Sequence, residues 1–98
     1  MADDILHVYG PEAEHDPVYI AGTRAGLELL RQALEQALRE GRAERDTFCA
    51  DGEGFAVRVC CIAEGDAPRL GLPYTLETSL DRRPEALWPC MAWEQDRP

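Results

Sequence analysis

The feature that most limits how this chain can fold is a change of hydrophobic period in its second quarter. Leu27, Leu30, Leu34 and Leu38 recur at helical spacing, with Ala33 and Ala37 beside them, which is the apolar stripe of an amphipathic helix. Thr23 stands where a side-chain oxygen can cap the first turn, and Gly41 stands where a left-handed residue closes the last. The spacing therefore predicts a helix over 24–40. On its wet face Glu28, Arg31, Glu35 and Arg39 fall three or four residues apart, and each such pair contributes a few tenths of a kcal/mol. Gly26 in the first turn costs about 1 kcal/mol of helix propensity relative to alanine, so a strand or loop is expected to pack closely there.

On both sides of this segment the period falls to two. Residues 4–9 are rich in β-formers and end at Gly10-Pro11, and Val18, Tyr19, Ile20 and Ala21 form a second extended run closed by Gly22. A hairpin with an acidic loop is expected. After the helix, residues 44–50 and 55–62 flank the turn Asp51-Gly52-Glu53-Gly54, the clearest hairpin signal in the chain. Phe55, Val57, Val59 and Cys61 alternate with Ala56, Arg58, Cys60 and Ile62, and the first set is expected to face the helix. Leu72, Tyr74, Leu76, Thr78 and Leu80 alternate again, predicting a fifth strand around 74–80. The order is ββαβββ. Connections short enough for hairpins argue for a two-layer α+β fold, a mostly antiparallel sheet of about five strands with the helix on one face.

Ninety-eight residues, 45% of them hydrophobic, suit one domain over 1–98. Its core is expected over about 4–80. The segment 81–98 has Pro84 placed at the first position of a short turn, then Trp88 and Trp93. Each tryptophan buries up to about 250 Å² when packed, so this segment is expected to fold back over the sheet or dock on a partner.

Nineteen acidic residues against ten basic ones give a net charge of -9, the opposite of what binding to nucleic-acid phosphates requires. No apolar run approaches the roughly 20 residues that cross a bilayer, and the start lacks a signal-peptide pattern. A cytoplasmic protein with no membrane association is the reading. The charge is uneven, since residues 1–23 hold Asp3, Asp4, Glu12, Glu14 and Asp16 and no arginine, whereas the rest of the chain is nearer balance.

Cys49, Cys60, Cys61 and Cys90 form no Cys-x-x-Cys pair, and the histidines, His7 and His15, are not at metal-ligand spacing. Reduced structural thiols, with no metal and no cofactor, are expected. Glu12, Glu14 and Asp16 alternate around His15, an arrangement that suits a calcium ion or, as preferred here, a basic protein partner. Pairing of His7 with Cys60 or Cys61 across neighbouring strands is the one nucleophile–base arrangement to weigh, and no local signature supports it. Recognition remains. An acidic surface with exposed aromatics, among them Tyr9, Tyr19, Tyr74, Trp88 and Trp93, fits protein binding, where charge speeds encounter and aromatic anchors supply affinity. The candidate partner-binding residues are Glu12, Glu14, Asp16, Trp88 and Trp93, and no catalytic residue is named.

The strand ending Ile20-Ala21-Gly22, the helix with Gly26-Leu27 and Leu30, the hairpin through Asp51-Gly52-Glu53-Gly54-Phe55 and the late Leu72-Pro73-Tyr74 together resemble small bacterial immunity proteins of polymorphic toxin systems, over residues 18–76. The resemblance implies a cytoplasmic, non-catalytic protein that binds and neutralises a cognate toxin. The alternative is a small ligand-binding domain or enzyme with a cleft between helix and sheet near His7, Cys60 and Tyr74. A homodimer is a further expectation, should the strand over 55–62 or that over 72–80 lie at an open sheet edge.

Overall fold

The computed structural model describes residues 4–11, 15–74, 78, 80–89 and 93. They form two compact units, the first from Met1–Tyr9 and Val18–Cys61, the second from Gly10–Pro17 and Ile62–Pro98. The first unit is α+β. It contains β1 (Leu6–Tyr9), β2 (Tyr19–Gly22), α1 (Arg24–Glu40), β3 (Arg42–Phe48) and β4 (Gly54–Cys60).

Helix α1 begins and ends where its signals lie. Thr23 holds an extended conformation and its hydroxyl accepts the Gly26 N–H, while Gly41 takes φ +98° and donates its N–H to the Ala37 carbonyl. Gly41 thereby satisfies a carbonyl the last turn leaves open. The wet face also matches its spacing: Arg31 pairs with Glu28 and, at 2.5 Å, with Glu35. The hydrogen bond from Arg31 holds the Glu28 carboxyl below its ordinary range.

The buried face of α1 differs from the expected leucine stripe. Gly26, Ala33 and Ala37 are buried and Leu30 is half-buried, while Leu27, Leu34 and Leu38 are exposed, Leu38 to 77%. The two rows lie about 100° apart around the helix. Small residues on the inner row let the helix sit close to the strands: Ala33 and Ala37 meet Ala43 of β3, with Val59 of β4 packed against them. At Gly26 a β-carbon would overlap the Ile5 carbonyl oxygen. The close approach expected at this glycine is thus made by the residue that leads into β1.

The strands form two antiparallel pairs, β1 with β2 and β3 with β4, in place of one five-stranded sheet. A single parallel bridge, Ile5 to Phe48, joins the pairs. At Ile5 the N–H is accepted by the Thr23 hydroxyl at 3.1 Å and the carbonyl accepts the Thr23 N–H at 3.0 Å. Its backbone groups thus bond to the helix cap, while the neighbouring Asp4 bonds toward β3. At this junction Asp4 takes the remaining contacts, its carbonyl accepting the Thr47 hydroxyl at 2.5 Å and the Phe48 N–H at 3.3 Å. Thr47 is fully buried.

In β4 the half-buried residues Phe55, Val57 and Val59 alternate with the exposed Gly54, Ala56 and Arg58, the expected phase. The register sets Ala43 opposite Val59 and Thr47 opposite Phe55 on one face, and Glu44 opposite Arg58 on the other. Arg58 donates to the Glu44 carboxylate at 2.6 Å. Cys61 departs from the expected set. It is exposed, beyond the end of β4, where its N–H donates to the Gly41 carbonyl at 2.8 Å.

The second unit contains a 3-10 helix over Glu64–Arg69. Of the expected fifth strand, Tyr74, Thr78 and Leu80 are described and none is in a strand; residues 75–77 and 79 lie outside the described residues. Polar side chains do the fastening that a ladder would do. The Asp81 carboxylate accepts the Leu72 N–H at 2.8 Å and the Arg83 N–H at 3.1 Å and pairs with the Arg83 guanidinium at 2.7 Å. Arg83 also donates to the carbonyls of Pro68 and Leu70. These bonds, that from Arg83 first, hold the Asp81 carboxyl well below the usual carboxylate range. Leu70 and Leu87 form a parallel bridge. The short turn expected around Pro84 is closed by the Ala86 N–H on the Arg83 carbonyl.

Candidate functional site

The β1–β2 hairpin carries the largest group of exposed apolar and aromatic side chains among the described residues. Its register pairs Leu6 with Gly22, His7 with Ala21, Val8 with Ile20 and Tyr9 with Tyr19. Because strand side chains alternate, one face carries Leu6, Val8, Ile20 and Gly22 and the other His7, Tyr9, Tyr19 and Ala21. Leu6 anchors the base and is fully buried. Outward from it Val8, Tyr9, Val18, Tyr19 and Ile20 are 52–63% exposed, so apolar groups meet solvent on both faces. Such a patch on a small domain marks a contact surface more often than an ordinary exterior.

His7 fixes the aromatic face. Its Nε2 accepts the Ala50 N–H at 2.9 Å, so Nδ1 carries the proton in the neutral ring and donates to the Tyr9 hydroxyl at 2.7 Å. The two rings lie 5.7 Å apart and tilted. Tyr9 is thereby held in place through a backbone N–H of the β3–β4 turn, and a pre-positioned ring loses less freedom on binding.

Where β1 parts from β3, a shallow and mainly apolar depression of about 300 Å³ is lined by Leu6, His7, Val8, Tyr9, Cys49 and Phe55. The thiol brought to the His7 side of the molecule is therefore Cys49. Cys60 pairs with Arg42 at the far end of β4 from Phe55, which separates it from His7, and Tyr74 belongs to the second unit. With Nε2 taken by the Ala50 N–H, the His7 ring offers no free acceptor to deprotonate the Cys49 thiol. Arrangement and chemistry here suit an apolar contact better than nucleophilic catalysis.

The residues named from sequence divide. Glu12 and Glu14 lie outside the described residues. Asp16 is exposed and follows His15, whose φ is +65°. Trp88 is half-buried with its indole lying on Gly71, where a β-carbon would overlap it, and Trp93 is 8% exposed. Tyr9 and Tyr19 are exposed as anticipated; Tyr74 is half-buried. Val8, Val18 and Ile20 were not singled out, although a run of β-formers with no charge between Pro17 and Arg24 is a signal that could have found the last two.

Cys49, Cys60 and Cys61 are free thiols, and among the described residues no three His, Cys, Asp or Glu side chains group in a way that could hold a metal ion. Among them, too, no helix is long and apolar enough to cross a membrane. Comparison with family models, with curated proteins and with solved structures finds no match to this chain.

Proposed function

We propose that this chain is a non-catalytic protein-binding module of the immunity type, acting in the cytoplasm by sequestering a basic protein partner. The observation that carries the reading is the β1–β2 hairpin, whose exposed Val8, Tyr9, Val18, Tyr19 and Ile20 flank a loop rich in acids, Glu12, Glu14 and Asp16. Exposed aromatic side chains that border acidic residues in the sequence are the complement of a basic surface with apolar pockets. The resemblance to small immunity proteins of toxin systems points the same way. The two tryptophans leave the proposed surface, because Trp93 is buried and Trp88 covers Gly71; Tyr9 and Tyr19 take their place as anchors.

The test is affinity capture from a lysate of the native host at low salt, run with the natural chain, a Glu12→Arg/Glu14→Arg/Asp16→Arg variant and a Tyr9→Ser/Tyr19→Ser variant. One basic protein should be retained by the natural chain, released by salt and lost from both variants. That protein expressed alone should arrest growth, and co-expression of this chain should restore it. Retention of nothing beyond what the variants retain would overturn the reading.

A second reading, a small-ligand site, is favoured by the depression beside His7 and Cys49. Its volume is at the low end for ligand pockets. Chemical-shift changes confined to its lining on addition of a fragment mixture, with no effect of the Tyr19→Ser substitution, would support it.

A further inference from the structure

The two hydrogen bonds of the His7 ring differ in kind. Nε2 accepts from the Ala50 N–H at 2.9 Å, a backbone group that can only donate, whereas the Tyr9 hydroxyl on Nδ1, at 2.7 Å, can donate or accept. The arrangement therefore requires a neutral ring protonated on Nδ1. A second proton makes Nε2 a donor as well, and two N–H groups then face each other across the contact. The bond from Nδ1 to Tyr9 survives that change. What is lost is the anchorage of the His7–Tyr9 pair to the β3–β4 turn.

The turn side of this contact is built without His7. Gly52 donates to the Cys49 carbonyl at 3.0 Å, Cys49 donates to the Glu53 carbonyl at 2.8 Å, and the Asp51 carboxylate accepts the Glu53 N–H at 3.0 Å. The Ala50 N–H is thus presented by a turn closed through its own bonds, and protonation acts on the hairpin. Asp4 ties that hairpin to Thr47 and Phe48 at its base, so the His7 bond is the link farther out, next to Val8 and Tyr9, which are more than half exposed.

The surroundings of the ring offer an imidazolium no counter-charge. Two depressions share His7 in their lining, and among the described residues the other titratable groups there are the Tyr9 hydroxyl and the Cys49 thiol, with no carboxylate and no guanidinium. From β2 the residue opposite is Ala21, and Tyr19 stands on the same face. Asp51, beside Ala50 in the turn, has its carboxylate on the Glu53 N–H.

We infer that His7 is a pH-operated clip: while neutral it fastens the aromatic face of the β1–β2 hairpin to the Ala50 N–H, and on protonation it releases that face. The consequence for partner capture rests on the proposed function. A released Tyr9 has to be ordered again on binding, and the imidazolium adds positive charge to a surface that meets a basic protein. Both effects weaken capture as pH falls through the range in which histidine titrates.

Nuclear magnetic resonance of the free full chain between about pH 8 and about pH 5 tests the clip without a partner. The Ala50 amide signal should move in step with the His7 ring signals. At about pH 5.5 the Ala50 N–H should exchange about 3- to 10-fold faster than in His7→Gln at the same pH, as loss of one hydrogen bond implies. In His7→Gln the side-chain carbonyl oxygen replaces Nε2 with an acceptor that does not titrate, so its Ala50 signal should stay still, while His15→Gln should behave as the natural chain does. An Ala50 signal that does not move in the natural chain, or that moves equally in His7→Gln, would overturn the clip. Retention of the captured basic protein should fall about 3- to 10-fold between about pH 7.5 and about pH 5.5 and hold with His7→Gln; an equal fall with both would overturn the regulation. Capture of nothing at any pH would sink the proposed function, and the Ala50 titration would still decide the clip.

Discussion

The β3–β4 hairpin places one face under α1 and pairs Glu44 with Arg58 on the other, whereas the β1–β2 hairpin leaves apolar side chains in solvent on both faces. Seven paired residues a side hold the first, and four hold the second. The two are linked by Ile5, which bridges to Phe48 and meets both ends of the Thr23 cap. What differs is the use to which similar β-forming residues are put. Val59 packs against Ala33, Ala37 and Ala43, whereas Val8, Tyr19 and Ile20 are more than half exposed. A side chain left half exposed forgoes roughly half of the about 1.5–3 kcal/mol that full burial of a large apolar group contributes, which a covering partner would recover.

The contrast can be broken first at its joint. Gly26→Val drives a side chain into the Ile5 backbone beside the helix cap, and should destabilise the protein by about 3 kcal/mol, measured by urea denaturation. A near-neutral result would mean that Ile5 does not tie the hairpins together. Next is Thr47→Val. It keeps the shape but removes the hydroxyl that donates to Asp4, and should cost about 1–2 kcal/mol. Glu44→Ala on the outer face of β3–β4 removes a half-exposed ion pair, so about 0.5 kcal/mol is expected, abolished by high salt. The smallest effect on stability belongs to the proposed recognition surface. Tyr9→Ser/Tyr19→Ser should leave the unfolding midpoint within the change expected from about 0.5 kcal/mol while eliminating capture of the partner.

Much of the scaffold was legible in the residues because its signals are local. Thr23 and Gly41 mark the helix ends through their own backbone chemistry, and the turn after Cys49 sits between two runs of period two. The face that α1 buries was not legible. Hydrophobicity alone favours the leucine row, but the close seat at Ile5 and Ala43 admits only Gly26, Ala33 and Ala37, and that depends on what lies opposite. Nor does any local pattern reveal that Thr23 takes both backbone groups of Ile5, or that Ile5 bridges to Phe48. In the second unit the alternation from Leu72 onward suggested a strand, yet Asp81, a residue past its end, takes the Leu72 N–H.

Of the candidate site, only the exposed aromatics can be compared with the sequence. Aromatics beside acidic charge were apparent, and Tyr9 and Tyr19 are exposed. Trp93, for all its size, is buried, since a large apolar ring is as ready to fill a core as to anchor a partner. His7 was weighed for its position near cysteines; its ring instead fixes Tyr9 against the Ala50 N–H.

The central claim is that one hairpin is scaffold and the other is surface. Amide hydrogen exchange, read residue by residue on the chain alone and in complex with the captured basic protein, tests it most directly. The account predicts that β3, β4 and α1 are slow to exchange in both states, and that added protection on binding is confined to residues 8–22. Protection that appears instead along β4 or the exposed leucine row of α1, with residues 8–22 unchanged, would contradict it.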